Sequence, residues 1–277
     1  MTLFNQSGQS KSASPHTAEP LSTVPGGRDR PQGKTERDEA FPVAALLPAA
    51  HRGTVRQFYR LVRAADDVAD SPHLSGEEKR RQLAILRQQA ADTLPPAVAP
   101  EAAALIDAFT ADTDHAPCRT WAETLASARA SSAPVGRMLL RLHERDVLTA
   151  APAADCLCTA LQLLNHISDA EEDRLRLGRS YLPADWLAEA AGDPAPVLER
   201  MRQATLPLLV AARPLVWQIR SPRLAFQAAV TLACGYRLSA LLAHRPDWRI
   251  APRFGRRAML RAGGYGIWLF LSLRWRG

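Results

Sequence analysis

Two acidic stretches about a hundred residues apart constrain this chain more than any other feature: Arg63-Ala64-Ala65-Asp66-Asp67-Val68-Ala69-Asp70 and Asn165-His166-Ile167-Ser168-Asp169-Ala170-Glu171-Glu172-Asp173. Read as helices, they place Asp66 and Asp70 on one face, and Asn165, Asp169 and Asp173 on another. Like charges at this spacing cost roughly 0.2–0.5 kcal/mol per pair in an isolated helix, so two such stacks call for a compensating cation. A divalent metal shared by both stretches would require the two helices to face each other.

Composition agrees with a helical answer. The chain has 277 residues, of which 47% are hydrophobic and only 6% aromatic, and no run alternates apolar and polar residues long enough to make a strand. We expect an all-α domain with a substantial core. Cys118, Cys156, Cys158 and Cys234 form neither a CxxC pair nor a zinc-finger spacing, which suits a reducing cytoplasm. No apolar run between a basic start and a small-residue cleavage site occurs in the first forty residues, so no secretory signal is expected.

Residues 1–38 are rich in Ser, Pro, Gly, Gln and charge, and are expected to be disordered because they hold too few apolar side chains to offset the entropy of ordering. Residues 39–250 are expected to form the helical domain. Its first helix is predicted from Thr54, as N-cap, to Asp70, with Val55, Phe58, Val62, Ala65 and Ala69 on the apolar face. Further helices are predicted at about 76–92, 100–111, 118–130, 134–149, 152–174, 194–220 and 222–244, separated by Pro-containing breaks, with Pro207 and Pro214 as points where the penultimate helix could kink or split. Short links between them suit an antiparallel bundle.

After Pro246 the sequence reads as basic and irregular until an apolar end, Tyr265 to Leu273. Residues 253–277 contain six arginines and no acid, so the net charge of +7 is largely a C-terminal property. The apolar run is far shorter than the roughly 20 residues of a transmembrane helix. Its flanking arginines and Trp268 and Trp275 fit a lipid surface better than nucleic acid. Residues 251–277 are therefore expected to be a tail, either lying on the inner face of the membrane or packed on its own bundle.

Magnesium takes oxygen ligands, keeps water, and is usually held by one or two carboxylates together with substrate phosphates. Facing acidic helices in a bundle could clamp such ions around a diphosphate. A lone DDxxD is as readily a solvated helix end; the second cluster favours the metal. The expected metal-binding set is Asp66, Asp67, Asp70, Asn165, Asp169 and Asp173, with Asp67 turned partly away, and Asp66, Asp70, Asp169 and Asp173 are the expected catalytic residues.

The second stretch runs on through Arg174-Leu175-Arg176-Leu177 into Gly178-Arg179-Ser180-Tyr181-Leu182-Pro183. With it, residues from about 40 to 245 resemble the squalene/phytoene synthase family, whose hallmark is two Asp-rich motifs on facing helices, the second followed by Gly-Arg-x-Tyr-Leu-Pro. Within the family the chain is most similar to the hydroxysqualene-forming branch of hopanoid biosynthesis. The residues behind that likeness are Glu39-Ala40-Phe41-Pro42-Val43-Ala44, Ser132-Ala133-Pro134-Val135-Gly136-Arg137, the Leu163-Leu164-Asn165-His166 start of the second motif, and the spacing from Asp169 to Tyr181.

The resemblance implies an isoprenoid-synthase bundle that converts presqualene diphosphate and water into hydroxysqualene and diphosphate. It also implies Arg63, Arg179 and Arg137 as diphosphate-binding arginines, with Tyr181 beside them; forked guanidinium groups suit phosphate oxygens. Arg174 and Arg176 read as solvated. His166, Phe58 and Tyr59 read first as packing residues. One departure is Ser127-Ala128, where the family commonly carries Tyr-Cys.

No G-x-G-x-x-G occurs, and the resemblance implies water rather than a hydride from NADPH as the final nucleophile. Two other readings stay open: head-to-head condensation of two prenyl diphosphates to presqualene diphosphate, squalene or phytoene, and a catalytically silent, membrane-associated assembly factor. Oligomeric state is left undetermined by the sequence.

Overall fold

The computed structural model describes residues 49–114, 116–143, 147–176, 178–252 and 255–274. Among them are eleven helices and no strand: α1 (Ala49–Ala69), α2 (Gly76–Thr93), α3 (Ala99–Ala111), α4 (Trp121–Ala130), α5 (Ala133–His143), α6 (Val147–Arg176), α7 (Ala184–Glu189), α8 (Pro194–Ala211), α9 (Leu215–Gln218), α10 (Pro222–Ala243) and α11 (Arg256–Arg274). This is the all-α class expected from the sequence. Residues 1–38, expected to be disordered, lie outside the described residues.

Local signals explain most boundaries. The Ser75 hydroxyl caps α2 by accepting from Glu78 N at 3.2 Å, and the Asp193 carboxylate caps α8 by accepting from Ala195 N at 3.0 Å. Ser221 caps α10, with Pro222 in the first turn where its missing N–H costs nothing. The start of α1 differs from expectation: the chain is already helical at Ala49, so Thr54 lies inside the helix and is not its cap. Pro207 does not break α8; the split falls at 212–214, before Pro214 opens the short α9.

One end of the bundle is α1 packed on α2 and α3. Val55, Phe58, Ala65 and Ala69 are buried as their spacing predicted, the first three against Leu83, Leu86, Leu105 and Ile106. Burying Phe58 alone contributes roughly 1.5–3 kcal/mol. The spine is α6, about 45 Å of helix, flanked by α4, α5, α8 and α10. Its inner face, including Leu157, Leu161, Leu163, Leu164 and Ile167, is buried, and the helix reaches solvent at its two ends, near Leu148 and from Glu172 on, where the second acidic stretch ends.

Helices α6 and α10 have the length and apolar composition of membrane spans, yet 56% and 61% of their apolar windows are buried inside the protein. They are core helices. The region beyond Pro246 departs from the expected irregular tail. Residues 256–274 form α11, which packs along α10. Gly266 makes that approach possible, because a Cβ there would lie 2.8 Å from the Val230 Cα.

Candidate active site

The first acidic stretch is the last two turns or so of α1, with Asp70 just past its end, and the second is the C-terminal third of α6. Each delivers its acids as a helical ladder. The two ladders are joined by the segment after α6, and Gly178 makes that join. Its φ of 62° is left-handed, a conformation an L side chain resists, and it turns the chain so that Arg179 N donates back to Asp173 O at 3.2 Å. The following residues are strapped to the 118–124 segment, where Thr124 Oγ1 donates to Tyr181 O at 3.2 Å and Ala184 N to Cys118 O at 3.0 Å.

Arg179 is consequently buried between the motifs. Its Nη1 lies 3.0 Å from Asp70 Oδ1 and 3.5 Å from Asp112 Oδ2, and it donates to Tyr181 Oη at 2.9 Å. Tyr181 Oη in turn donates to Asp112 Oδ2 at 3.2 Å. Burial alone would lower the guanidinium pKa; Tyr181, Asp70 and Asp112 more than offset it and hold Arg179 above its ordinary value. Burial, aided by Asp112, pushes the Tyr181 phenol well up, so it stays protonated and able to donate.

The acids feel the shortage of positive charge. Burial, then Asp169, raise Asp173 from 3.8 to about 7, with Asp70 and Glu172 adding to the shift and Arg179 opposing it. Asp70 is likewise raised by burial and Asp66, against the pull of Arg179. Asp70 is among the charges that raise Asp173, so the ends of the two motifs share one electrostatic neighbourhood. Asp66 sits one turn before Asp70, paired at 3.2 Å with Arg63, whose other nitrogen holds Asp67 at 2.8 Å. Asp67 is the more exposed of these two acids, turned partly outward.

Asn165 stands one turn before Asp169 on the same face. It is only 5% exposed, yet neither its Oδ1 nor its Nδ2 has a hydrogen-bond partner. Asp70 Oδ1, despite the nearby Arg179, also lacks an aligned donor. Buried amide and carboxylate oxygens left in this state are costly unless something completes them. A hard cation with oxygen ligands fits the set Asp66, Asp70, Asn165, Asp169 and Asp173. Among the described residues no three His, Cys, Asp or Glu side chains form a ready-made metal cage.

Arg137 is not brought to this place. It forks onto Asp155, Nε to Oδ1 at 2.8 Å and Nη2 to Oδ2 at 2.6 Å, with Arg129 on the same carboxylate at 2.9 Å. Asp155 lies fourteen residues before Asp169 on α6, about 20 Å along the helix. Arg137, expected at the diphosphate, instead has Nε and Nη2 on Asp155 here, tying α5 to α6. Arg174 and Arg176 pair with Glu171 and Glu172 at the surface, as solvated residues do.

Three residues that sequence reasoning passed over belong here. Asp112 ends α3 and receives both Tyr181 and Arg179; Lys79, 5% exposed, donates from Nζ to Ala69 O at 2.8 Å, capping α1 beside Asp70. His166, set aside in the sequence, stacks on Tyr181 at 3.8 Å between ring centroids and is driven to a pKa of about 3, chiefly by burial, so it is neutral. No motif marks Asp112 or Lys79. A cavity of about 610 Å³ on the opposite side of α6, lined by Ile167, Leu198, Leu242, Arg245 and Trp248, lies away from these groups. It is not the acid site.

A model of the squalene/phytoene synthase family matches residues 35–262. The chain is 34% identical to a hydroxysqualene synthase of Rhodopseudomonas palustris over 242 residues, covering 77% of this chain and 82% of the relative. It is 29% identical to a presqualene diphosphate synthase of Zymomonas mobilis over 197 residues, covering 62% of this chain and 64% of that one. A solved dehydrosqualene synthase in complex with ligand superposes with a TM-score of 0.68 at 17% identity, over 83% of this chain and 90% of that one. That likeness is one of fold.

Proposed function

The chain belongs to the squalene/phytoene synthase family, enzymes that process prenyl diphosphates, and from that premise we propose that it converts presqualene diphosphate and water into hydroxysqualene and diphosphate with magnesium. The observation that carries the site assignment is Arg179, buried where the two acidic helices converge and touching Asp70, Asp112 and Tyr181. Likeness to the Rhodopseudomonas hydroxysqualene synthase, longer and stronger than that to the presqualene diphosphate synthase, supports the choice of reaction.

Magnesium, held by Asp66 on α1, by Asp70 just past its end, and by Asn165, Asp169 and Asp173 on α6, would neutralise the charge developing on the leaving diphosphate. The protein's own groups do the rest. Arg179 presents N–H donors to the diphosphate, the protonated Tyr181, whose O–H goes to Asp112, holds that guanidinium in place, and Arg63 offers a second cationic group at the rim. Once the C–O bond breaks, its electron pair leaves with the diphosphate. The apolar interior of the bundle delays capture of the carbocation, and water then forms the new C–O bond and releases its proton. His166, neutral behind Tyr181, holds that ring without adding charge.

The test is product analysis with purified protein and magnesium. Presqualene diphosphate should give hydroxysqualene without NADPH, and the alcohol should carry ¹⁸O when the water does. Turnover of two farnesyl diphosphates, but not of presqualene diphosphate, would replace this reading with head-to-head condensation. No turnover of any prenyl diphosphate would leave the silent assembly factor.

A further inference from the structure

Helix α11 is apolar on two opposite sides. Ala262, Gly266 and Leu269 face the bundle and are buried. Leu260, Ile267, Trp268 and Leu271, displaced by about half a turn of the helix, point outward, with Leu260 76%, Trp268 58% and Leu271 52% exposed. The two open-sided glycines, Gly263 and Gly264, add no polar cover to that face. A helix apolar all round is ordinarily enclosed on all sides. This one is enclosed on one side only.

The helix is also fixed in place, which separates it from a tail that happens to be greasy. Gly266 seats it against Val230 on α10, and the ring of Phe226 meets Phe270 edge-on at 5.6 Å. At its C-terminal end Arg274 donates to the carbonyls of Val216, Ile219 and Arg220. The outward stripe from Leu260 to Leu271 is therefore a rigid strip about 17 Å long. Tyr265 stacks on Trp268 at 5.4 Å, at the edge of the strip.

We propose that the outer face of α11 docks this protein on an anionic lipid surface, the helix lying in the plane of the interface with Leu260, Ile267, Trp268 and Leu271 among the acyl-chain ends. Charge selects lipid over another protein surface. Arg261, exposed, borders the strip, and residues 253–277 carry five further arginines, of which Arg274 is tied to backbone carbonyls, and no acid to balance them. Apolar side chains inward, an amphipathic Trp at headgroup level and guanidinium groups on phosphate are the requirements of an interfacial helix. The proposal does not depend on the reaction assigned above.

The experiment is cosedimentation of the full chain with phosphatidylglycerol–phosphatidylcholine vesicles and with pure phosphatidylcholine vesicles. Wild type should partition onto the anionic vesicles and be released by high salt. The triple variant Leu260→Gln, Trp268→Gln, Leu271→Gln should bind at least tenfold more weakly, with an unchanged circular dichroism spectrum. Arg261→Glu should weaken anionic-vesicle binding several-fold. As a check that needs no multiple variant, brominated lipid should quench a fluorescence component that Trp268→Phe removes. Wild type that stays in the supernatant, equal binding by the triple variant, or no quenching assignable to Trp268 overturns the proposal. So does a dimer that the triple variant dissociates without any vesicle binding, which would make the strip a protein interface. Loss of turnover with retained vesicle binding would instead count against the catalytic reading alone.

Discussion

Arg179 Nη1 lies 3.0 Å from Asp70 Oδ1, so the arginine that follows the second acidic motif is the counter-charge of the last acid of the first. The same guanidinium reaches Asp112 and Tyr181. In the absence of other cations it holds two helices together across a surplus of carboxylates. On the proposed reading, the same group would turn from Asp70 to the phosphate oxygens of a bound diphosphate without any change in its charge.

That dual duty predicts opposite effects of one substitution. Arg179→Gln should tighten magnesium binding to the substrate-free protein, since the competing cation is gone, while raising KM for presqualene diphosphate by about tenfold or more, the scale of one lost charge-assisted hydrogen bond. Calorimetric titration with magnesium, set beside steady-state kinetics, checks both signs. Weaker magnesium binding in the variant would show that Arg179 does not compete for Asp70.

Asp173 gives a pH dependence with a definite sign. Its carboxyl is raised from 3.8 to about 7, first by burial and then by Asp169. Below about pH 4 the group is neutral in both folded and unfolded chains and costs nothing. From there through about pH 7 the folded state retains a proton that the unfolded state has lost, so stability falls as pH rises and levels off above that. The metal-free protein should therefore melt lower at pH 8 than at pH 5. Asp173→Asn should remove part of this drop, stabilising the protein at pH 8 by on the order of 1–4 kcal/mol, while turnover falls about 10²–10³-fold. Magnesium affinity should climb through the same pH range, because the ligand must lose its proton first.

Gly178 is the hinge on which the arrangement turns. At φ 62° an alanine would be strained by about 1–2 kcal/mol, and relief of that strain would move Arg179 away from Asp70. Gly178→Ala should thus lower kcat/KM by more than its small loss in melting temperature suggests. Equal, minor losses in both would mean that the turn is not what positions Arg179.

The sequence revealed the helical class, most helix boundaries and the two acidic ladders, because helical periodicity, caps and i,i+4 spacing are local properties of the chain. Gly178-Arg179-Ser180-Tyr181 was legible through family resemblance. Asp112 and Lys79 were not, because what brings them to the site is the packing of α1, α2 and α3, and neither residue differs in its local sequence from a solvated one. The region after Pro246 reads as irregular because its apolar residues serve two faces at once, which blurs the single stripe by which an amphipathic helix is recognised. Arg137 shows a different limit: an arginine suited to phosphate is equally suited to a buried carboxylate, and its contact with Asp155 is set by the packing of α5 on α6.

Arg137 accordingly supplies the sharpest separation of structure from chemistry. Asp155 is 4% exposed and accepts from Arg137 through both oxygens, with Arg129 as second partner, and the two arginines hold its carboxyl below the usual range against the opposing effect of burial. Removing the fork leaves a buried carboxylate with one half-exposed partner. Arg137→Ala should lower stability by about 1–3 kcal/mol, and the loss should grow as pH rises through the range where Asp155 ionises. The acidic motifs, about 20 Å away along α6, should be untouched, so kcat/KM measured well below the melting temperature should stay within about twofold of wild type. Asp155→Asn should partly rescue Arg137→Ala, since the uncompensated charge is then gone. A variant with normal stability but a large rise in KM for the diphosphate substrate would return Arg137 to the binding site.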